Sequence, residues 1–558
     1  MEKVNPIKPM ITIGPIIGKV DDSSARILIE VNQDIELTIN LKEIDSNKII
    51  PVTNFCSPKY PEIFKFFGLK SLTRYQVIIE NDIDFSKPEL KNLTSKFRTT
   101  SKTGESPKNF NIGFISCFSS NYYNTLEKPE FSLWNSLSDK VRSEEVNYLF
   151  HLGDQIYSDD GFWKGEKNSC YAKSFDLWKK TYLETFGVEY SEEGHKKKEE
   201  DDPKTTRKIS NLDEKKQKFD QLRQMMETEI VENISDVYRK SWNIIDCANV
   251  LRNVPNLMIL DDHEIYDDFG FDGKYVSPLD TERFENFYAD KARLCYYKYQ
   301  KQLNEDVDFI NYQIADKEHH SHIINDVGFF VQDFRGCFSW LKNPQNEGTK
   351  GKLDGFLGKS QAQEIQNCFG QGGKFEKTKF SFYISANPLV FFSHFLTSIA
   401  EKKIDDCKEQ WAFGFRDEQI ELLDILANFK KNNAINTMCV SGDVHIGCLT
   451  YIFKKDEYVF PQMITSPICQ KPPTNFEMSV VDILRFSQKE LQDGYSFEHT
   501  SGTNECNYGI VKLRKNDNGT YNAFAQHIIS NGERFSVIEE ELNEFYQKSS
   551  HCCGCGIF

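Results

Sequence analysis

The sequence predicts an all-β domain followed by a larger α/β domain, and three observations carry this. Residues 10 to about 100 alternate apolar and polar positions in short runs, as in "SARILIEV", "IELTINL" and "RYQVIIEN", separated by Gly, Pro and Asn-Asp turn signals. From residue 110 onward strands alternate with helical stretches, the texture of an α/β core. Several of the apolar runs then end abruptly in Asp, His, Cys or Arg. The 558 residues are too many for one hydrophobic core, and the 44 Phe suit large, well-filled interiors.

Residues 1–104 are assigned to a β-sandwich with a packing role, closed by the polar linker "SKFRTTSKTGESPKN". Residues 105–537 form the α/β domain. Within it, "SEEGHKKKEEDDPKTTRKISNLDEKKQKFDQ" (191–221) is nearly free of apolar residues and mixes both charge signs. This reads as a solvated insertion, either partly disordered or a surface helix pair. Residues 538–558 are assigned to a C-terminal tail.

The strand endings form a series. "NIGFISC" stops at Cys117 and "VNYLFHLGD" at Asp154, with Tyr157 just beyond. "VPNLMILDDHE" stops at Asp261, Asp262 and His263, "DVGFFVQDFR" at Asp333 and Arg335, and "NTMCVSGDVH" at Asp443 and His445. In α/β folds ligands bind beyond the carboxyl ends of the strands, so five such endings are expected to converge on one rim. Unpaired carboxylates brought together raise one another's pKa and oppose folding, and multivalent cations resolve that conflict. Asp154 is expected to bridge two metals about 3.5–4 Å apart. Gly153 and Gly442 would let the backbone turn sharply as it leaves each strand.

Taken singly, each of these residues also has an ordinary reading. Gly-Asp pairs are common turns, Asp262–His263 could cap a helix, and Cys117 could be a core thiol. Tyr157 could be a core ring, and Arg335 could pair with Asp333 at a surface. His151 reads as a core histidine, and His319, His320, His322 and His394 as structural or surface residues.

The formal charge of −16 argues against a nucleic-acid partner and against broad docking on anionic lipid. An anionic substrate would need that field reversed locally, which bound cations achieve. The start "MEKVNPIKPMITIGPIIGKV" shows no secretory signal, and no run reaches the roughly 18–20 apolar residues of a membrane span. The 15 Cys therefore read as reduced thiols of a cytoplasmic protein.

In order, "FISC", "HLGDQIY", "LDDHEIYDDFG", "QDFR", "FLGKSQAQEI", "QWAFGFRDEQ" and "SGDVHIG" resemble the PhoD-like (alkaline phosphatase D) branch of the calcineurin-like metallophosphoesterases. "GPIIGKV" resembles that family's leading β-sandwich, and the likeness runs over roughly residues 10 to 535. The resemblance implies a four-layer αββα catalytic domain that hydrolyses phosphate esters with a multinuclear metal site activating water. "FISCFSS" carries Cys117 and no Asp-x-His, as in this branch. By the resemblance, Fe(III) is held by Cys117, Asp154, Tyr157 and His445. One or two Ca2+, or other divalent ions, are held by Asp154, Asp262 and Asp443. His263 is then the leaving-group proton donor or a transition-state ligand, and Arg335 grips phosphate oxygens. Asp268, and "LDD" before His263, depart from the family pattern and bear on pocket shape and substrate choice.

The chain ends "HCCGCGIF". Cys555 to Phe558 fits a prenylation motif with geranylgeranyl preference, and Cys552 and Cys553 read as palmitoylation sites. A Cys-rich floppy end is the ordinary alternative. The expected function is a phosphomonoesterase lipid-anchored at the cytoplasmic face of a membrane. A phosphodiesterase or phospholipase is the alternative within the class, and a catalytically weak membrane-anchored scaffold is the alternative outside it.

Overall fold

Among the described residues, strands Glu62–Phe67, Ser24–Val31, Met10–Val20 and Asp84–Phe85 form one four-stranded sheet. Ile49–Cys56, Ile35–Glu43, Arg74–Ile79 and Lys96–Arg98 form a second. Period-2 alternation puts Leu37, Ile39 and Leu41 on one buried face, where they meet Ile27, Ile29, Phe64 and Phe66 between the two sheets. In the computed structural model, residues 8–542 are described except 59, 81–82, 161–168, 187–208, 271–282, 310–317, 337–351, 395–410, 412–414, 473–488 and 518.

The sandwich is fastened to the rest of the chain through polar side chains. Arg252 donates to the carbonyls of Leu90 and Gly14, both at 2.6 Å, and Asn256 to that of Ile17 at 2.9 Å. Buried Glu30 receives the guanidinium of Arg239 at 2.9 and 3.0 Å and the hydroxyl of Tyr299 at 2.7 Å.

The larger domain holds two more sheets. One runs Asn256–Met258, Tyr148–His151, Asn109–Ile115, Cys506–Lys515, Tyr521–Ser530, Phe535–Leu542, with the first three strands parallel and the rest antiparallel. The other runs His320–Ile324, Val327–Val331, Phe380–Ser385, Thr437–Ser441, Glu457–Ile464, Gly447–Lys454, Tyr495–Thr503. Its second to fifth strands are parallel. These parallel strands are buried at nearly every position, which explains why they read as unbroken apolar runs.

The sheets face each other through aromatic rings. Phe150 stacks on Phe329 at 4.7 Å between centroids, and Phe114 lies 5.7 Å from Phe382. Each such ring contributes roughly 1.5–3 kcal/mol by leaving water. Helices Leu133–Arg142 and Ile245–Leu251 place Trp134, Leu137, Val141, Cys247 and Val250 in the same core, against the outer face of the first sheet. Ser132 caps the first of them, accepting from the Asn135 N–H at 3.2 Å. Helices Leu353–Phe369 and Arg416–Asn433 cover the second sheet, packing Phe369, Leu423 and Leu426 with Phe330 and Tyr383. The expected αββα order of four layers is present.

Two boundaries differ from expectation. Strand Phe535–Leu542 pairs along its length with Tyr521–Ser530, so the α/β domain continues past 537. Its charged "EEE" looked like tail, but an edge strand tolerates charge on its open side. Residues 209–221 of the supposed insertion open a 34-residue helix, Ile209–Trp242, while 187–208 lie outside the described residues. The helix is polar on most of its circumference but buries Met226, Ile230, Ile234, Tyr238 and Trp242 at four-residue spacing. The tail cysteines also lie outside the described residues. No described helix is long and apolar enough to cross a membrane, and the described cysteines are free thiols.

Candidate metal centre

Both sheets direct the carboxyl ends of their parallel strands to the same place. The strand ending at Ile115 runs into Cys117, that ending at His151 into Asp154 and Tyr157, and that ending at Met258 into Asp261 to Glu264. The facing sheet supplies Arg335, Asn387, Asp443 and His445 beyond Val331, Ser385 and Ser441. The loops are stitched together by backbone: the Cys117 N–H donates to Gly153 O at 3.3 Å and the Phe118 N–H to Asp154 O at 2.8 Å.

The exits from these strands are conformationally costly. Cys117, Asp154, Asp443 and His445 all have left-handed backbones, with φ of 57°, 55°, 65° and 53°. Non-glycine residues rarely adopt this region, and such strain gathers at functional sites. Gly153 (φ 107°) turns the chain as expected, and a Cβ there would lie 2.4 Å from Asp261 Cβ. Gly442 is small for another reason: it does not carry a positive φ, but a Cβ would meet Ser116 Oγ at 2.4 Å.

Four of the expected ligands meet at the first focus. Asp154 Oδ2 lies 3.4 Å from Cys117 Sγ and 3.2 Å from the Tyr157 hydroxyl, which in turn lies 3.2 Å from His445 Nε2. Ser466 donates to Cys117 Sγ at 3.0 Å. At the second focus, Asp154, Asp261, Asp262 and Asp443 present carboxylate oxygens all within 4.8 Å of one another. Asp154 thus belongs to both groups. Asp262 also clusters with Asp267 and Asp268.

The electrostatics are those of a cation site. Burial pushes the Asp154 and Asp443 carboxyls well above the usual range, helped by Cys117 at the first and Asp261 at the second. Burial moves Asp261 to about 6 and the Cys117 thiol to about 12, and lowers His445 to about 4. Asp261 Oδ2 is buried with no hydrogen-bond partner among the described residues, and so is Asn387 Oδ1. Acids and orphaned oxygens packed this way fit positive ions and little else.

Arg335 is fully buried. Its Nε contacts Asp261, and Nη2 lies 3.3 Å from Asp262 and 4.0 Å from Asp443. Asp333 does not join the carboxylate clusters and accepts from the Gly336 N–H at 2.7 Å, so among the described residues Arg335 is the contribution of this strand end. His263 stacks on Tyr157 at 4.0 Å, hydrogen-bonds Asp159 through Nδ1 at 2.9 Å, and faces Asp267 through Nε2 at 3.6 Å. His151 is a core residue bonded to Asn256 at 3.0 Å.

Three contributors escaped sequence reasoning. Glu264 accepts from the backbone N–H groups of Asp154 (3.0 Å), Gln155 (2.6 Å) and Asp261 (2.8 Å), locking two strand ends together. Asp159 orients His263. Asn387 donates to Asp443 Oδ2 at 2.8 Å. The last had a usable signal, since "FSFYISAN" is another apolar run ending in a polar side chain.

Comparison with known proteins agrees with this geometry. A family model described as PhoD-like phosphatase matches residues 206–516, more than half of the chain. The match begins downstream of Cys117, Asp154 and Tyr157, which the fold brings to the site. A solved structure titled "Structure of PhoD" superposes with a TM-score of 0.60 at 13% identity, covering 98% of this chain and 94% of that one. No curated protein matches in sequence. The chain belongs to the PhoD-like phosphatase family.

Proposed function

We propose that the protein is a metal-dependent phosphomonoesterase. The observation that carries this is the position of Asp154, between a thiol–phenol–imidazole set and an all-carboxylate set. Cys117, Asp154, Tyr157 and His445 would hold Fe(III), because phenolate and thiolate are strong anionic donors for a trivalent ion. Asp154, Asp262 and Asp443 would hold Ca2+, which prefers oxygen. Bound cations supply an acidified water and neutralise charge on the phosphoryl group.

The remaining work falls to side chains. Arg335 sits beneath the carboxylates, and its contacts with Asp261 and Asp262 favour a counter-ion role that holds them in place. Asp159 fixes the His263 ring through Nδ1, which leaves Nε2 to deliver a proton to the departing alcohol. Prenylation at Cys555, with acylation at Cys552 or Cys553, would hold the enzyme at the cytoplasmic face of a membrane.

Elemental analysis combined with hydrolysis of p-nitrophenyl phosphate and bis(p-nitrophenyl) phosphate tests this reading. The expected result is bound metal and faster turnover of the monoester. Preference for the diester would favour the phosphodiesterase reading. Metal-replete protein that hydrolyses neither would leave the scaffold reading standing.

A further inference from the structure

A second charged cavity lies at the opposite end of the central strands. It encloses about 600 Å³ between the β-sandwich and the α/β domain, a volume in the range of small-molecule sites. Its wall includes the last sandwich strand, the linker at Pro107 and Lys108, and the starts of the strands at Asn109 and Tyr148. The other ends of those two strands carry Cys117 and Asp154. At about 3.3 Å per residue the two regions are roughly 25 Å apart, beyond the reach of one small ligand.

In a chain with a net charge of −16, this wall is basic. It presents Arg74, Lys96, Arg98, Lys108 and Arg514 against two carboxylates, Glu144 and Glu145. Both carboxylates already have cationic neighbours: Glu144 lies 3.6 Å from Arg74, and Glu145 lies 3.1 Å from Lys140. Lys96, Arg98, Lys108 and Arg514 form no ion pair among the described residues. They contact carbonyl or amide oxygens at most: Arg98 with Leu72 O at 3.1 Å, Lys96 with Arg142 O at 3.5 Å, Arg514 with Asn111 Oδ1 at 2.6 Å.

One pairing is offset only on one side, where Asp45 and Glu144 each lie 3.6 Å from Arg74. Arg74 and Arg98 are direct cross-strand partners, and like charges placed opposite each other destabilise a sheet. A bound polyanion would reverse that penalty. Guanidinium forks suit phosphate oxygens, which they can engage two at a time.

We propose that this cavity binds a small molecule carrying two or more phosphate groups, at a site separate from the metal centre. Four cations that form no ion pair among the described residues exceed what a single phosphate neutralises, and the space accommodates a larger ligand.

The probe is sodium tripolyphosphate, titrated calorimetrically into the full chain carrying Asp154→Asn, which disables the metal centre as a competing phosphate site. One-to-one binding is expected, and adding Arg98→Ala and Lys108→Ala should weaken it at least tenfold. Both added changes are at exposed side chains, and circular dichroism verifies the fold. Inorganic phosphate should bind at least tenfold more weakly than tripolyphosphate. Arg98→Ala with Lys108→Ala in the otherwise wild-type chain should leave p-nitrophenyl phosphate hydrolysis unchanged. Equal affinity in the two proteins, absence of binding at millimolar tripolyphosphate, equal binding of inorganic phosphate, or loss of hydrolysis in the double variant would each overturn the proposal. Failure of hydrolysis in the wild type itself would instead count against the phosphatase reading alone.

Discussion

The Tyr157 hydroxyl lies 3.2 Å from His445 Nε2, although the two residues leave different sheets and stand 288 positions apart. Asp154 and Cys117 complete the same focus from the Tyr157 side. A phenol placed there is a donor with a spectroscopic signature. Protein purified with Fe(III) should show a visible tyrosinate charge-transfer band that disappears in Tyr157→Phe. A colourless, fully active enzyme would rule out iron at this focus.

Asp154→Asn tests the shared ligand. Because Asp154 belongs to both groups, the variant should lose at least one metal ion and activity by a hundredfold or more, to order of magnitude. The far-UV circular dichroism should be retained, since burial disfavours the Asp154 charge in the first place. Full metal content in the variant would refute the sharing.

Glu264→Gln tests the clasp beneath the site. A glutamine keeps one acceptor oxygen and turns an NH₂ group toward backbone donors that Glu264 now satisfies. A loss of about 2–3 kcal/mol in urea unfolding is expected, with weakened metal binding. An unchanged midpoint would show that the loops hold their shape without it.

Glu318 gives a pH test at a carboxylate that is not among the candidate metal ligands. Burial alone would raise its pKa, but Arg293 at 2.9 Å and Lys301 at 2.6 Å more than offset burial and hold it below the ordinary 4.5. A depressed carboxyl contributes stability above its unfolded pKa and loses it as pH falls through the folded value. The wild type should therefore lose stability below pH 4.5 more steeply than Glu318→Gln. Parallel unfolding curves from pH 6 to about 3.5 for the two proteins would contradict this.

Cell fractionation tests the tail. One prenyl chain is a reversible anchor worth about 0.8 kcal/mol per buried CH₂, so a second lipid is needed for stable attachment. Cys555→Ser should release the protein to the soluble fraction with hydrolysis intact. An unmodified Phe558 on a wholly soluble wild type would end the anchor proposal.

Strand endings were the legible part of this site. An apolar run that stops at Cys, Asp or His needs no knowledge of partners, and Cys117, Asp154, Asp262, Asp443 and His445 were all visible that way. Arg335 was visible too, but not its direction, because only the folded sheet shows it lying under Asp261. Glu264 serves backbone donors as far as 110 positions away, and no local period records such a contact. The long helix was hidden because it buries a narrow face and leaves a charged one that dominates its composition, and the last edge strand because it buries no residue fully and is held by backbone pairing that composition does not record.

The meeting of Tyr157 and His445 also bears on how the unfolded chain is constrained. An ion gripping both side chains acts as a removable cross-link closing a loop of 288 steps. In the chain-entropy account, tying so long a loop removes roughly 5–6 kcal/mol of freedom from the denatured ensemble if the link persists there. Chelation would then do more than silence a phosphatase: it would free the denatured chain of that restraint and lower stability, and refolding of the stripped chain would have to find that distant encounter by diffusion alone.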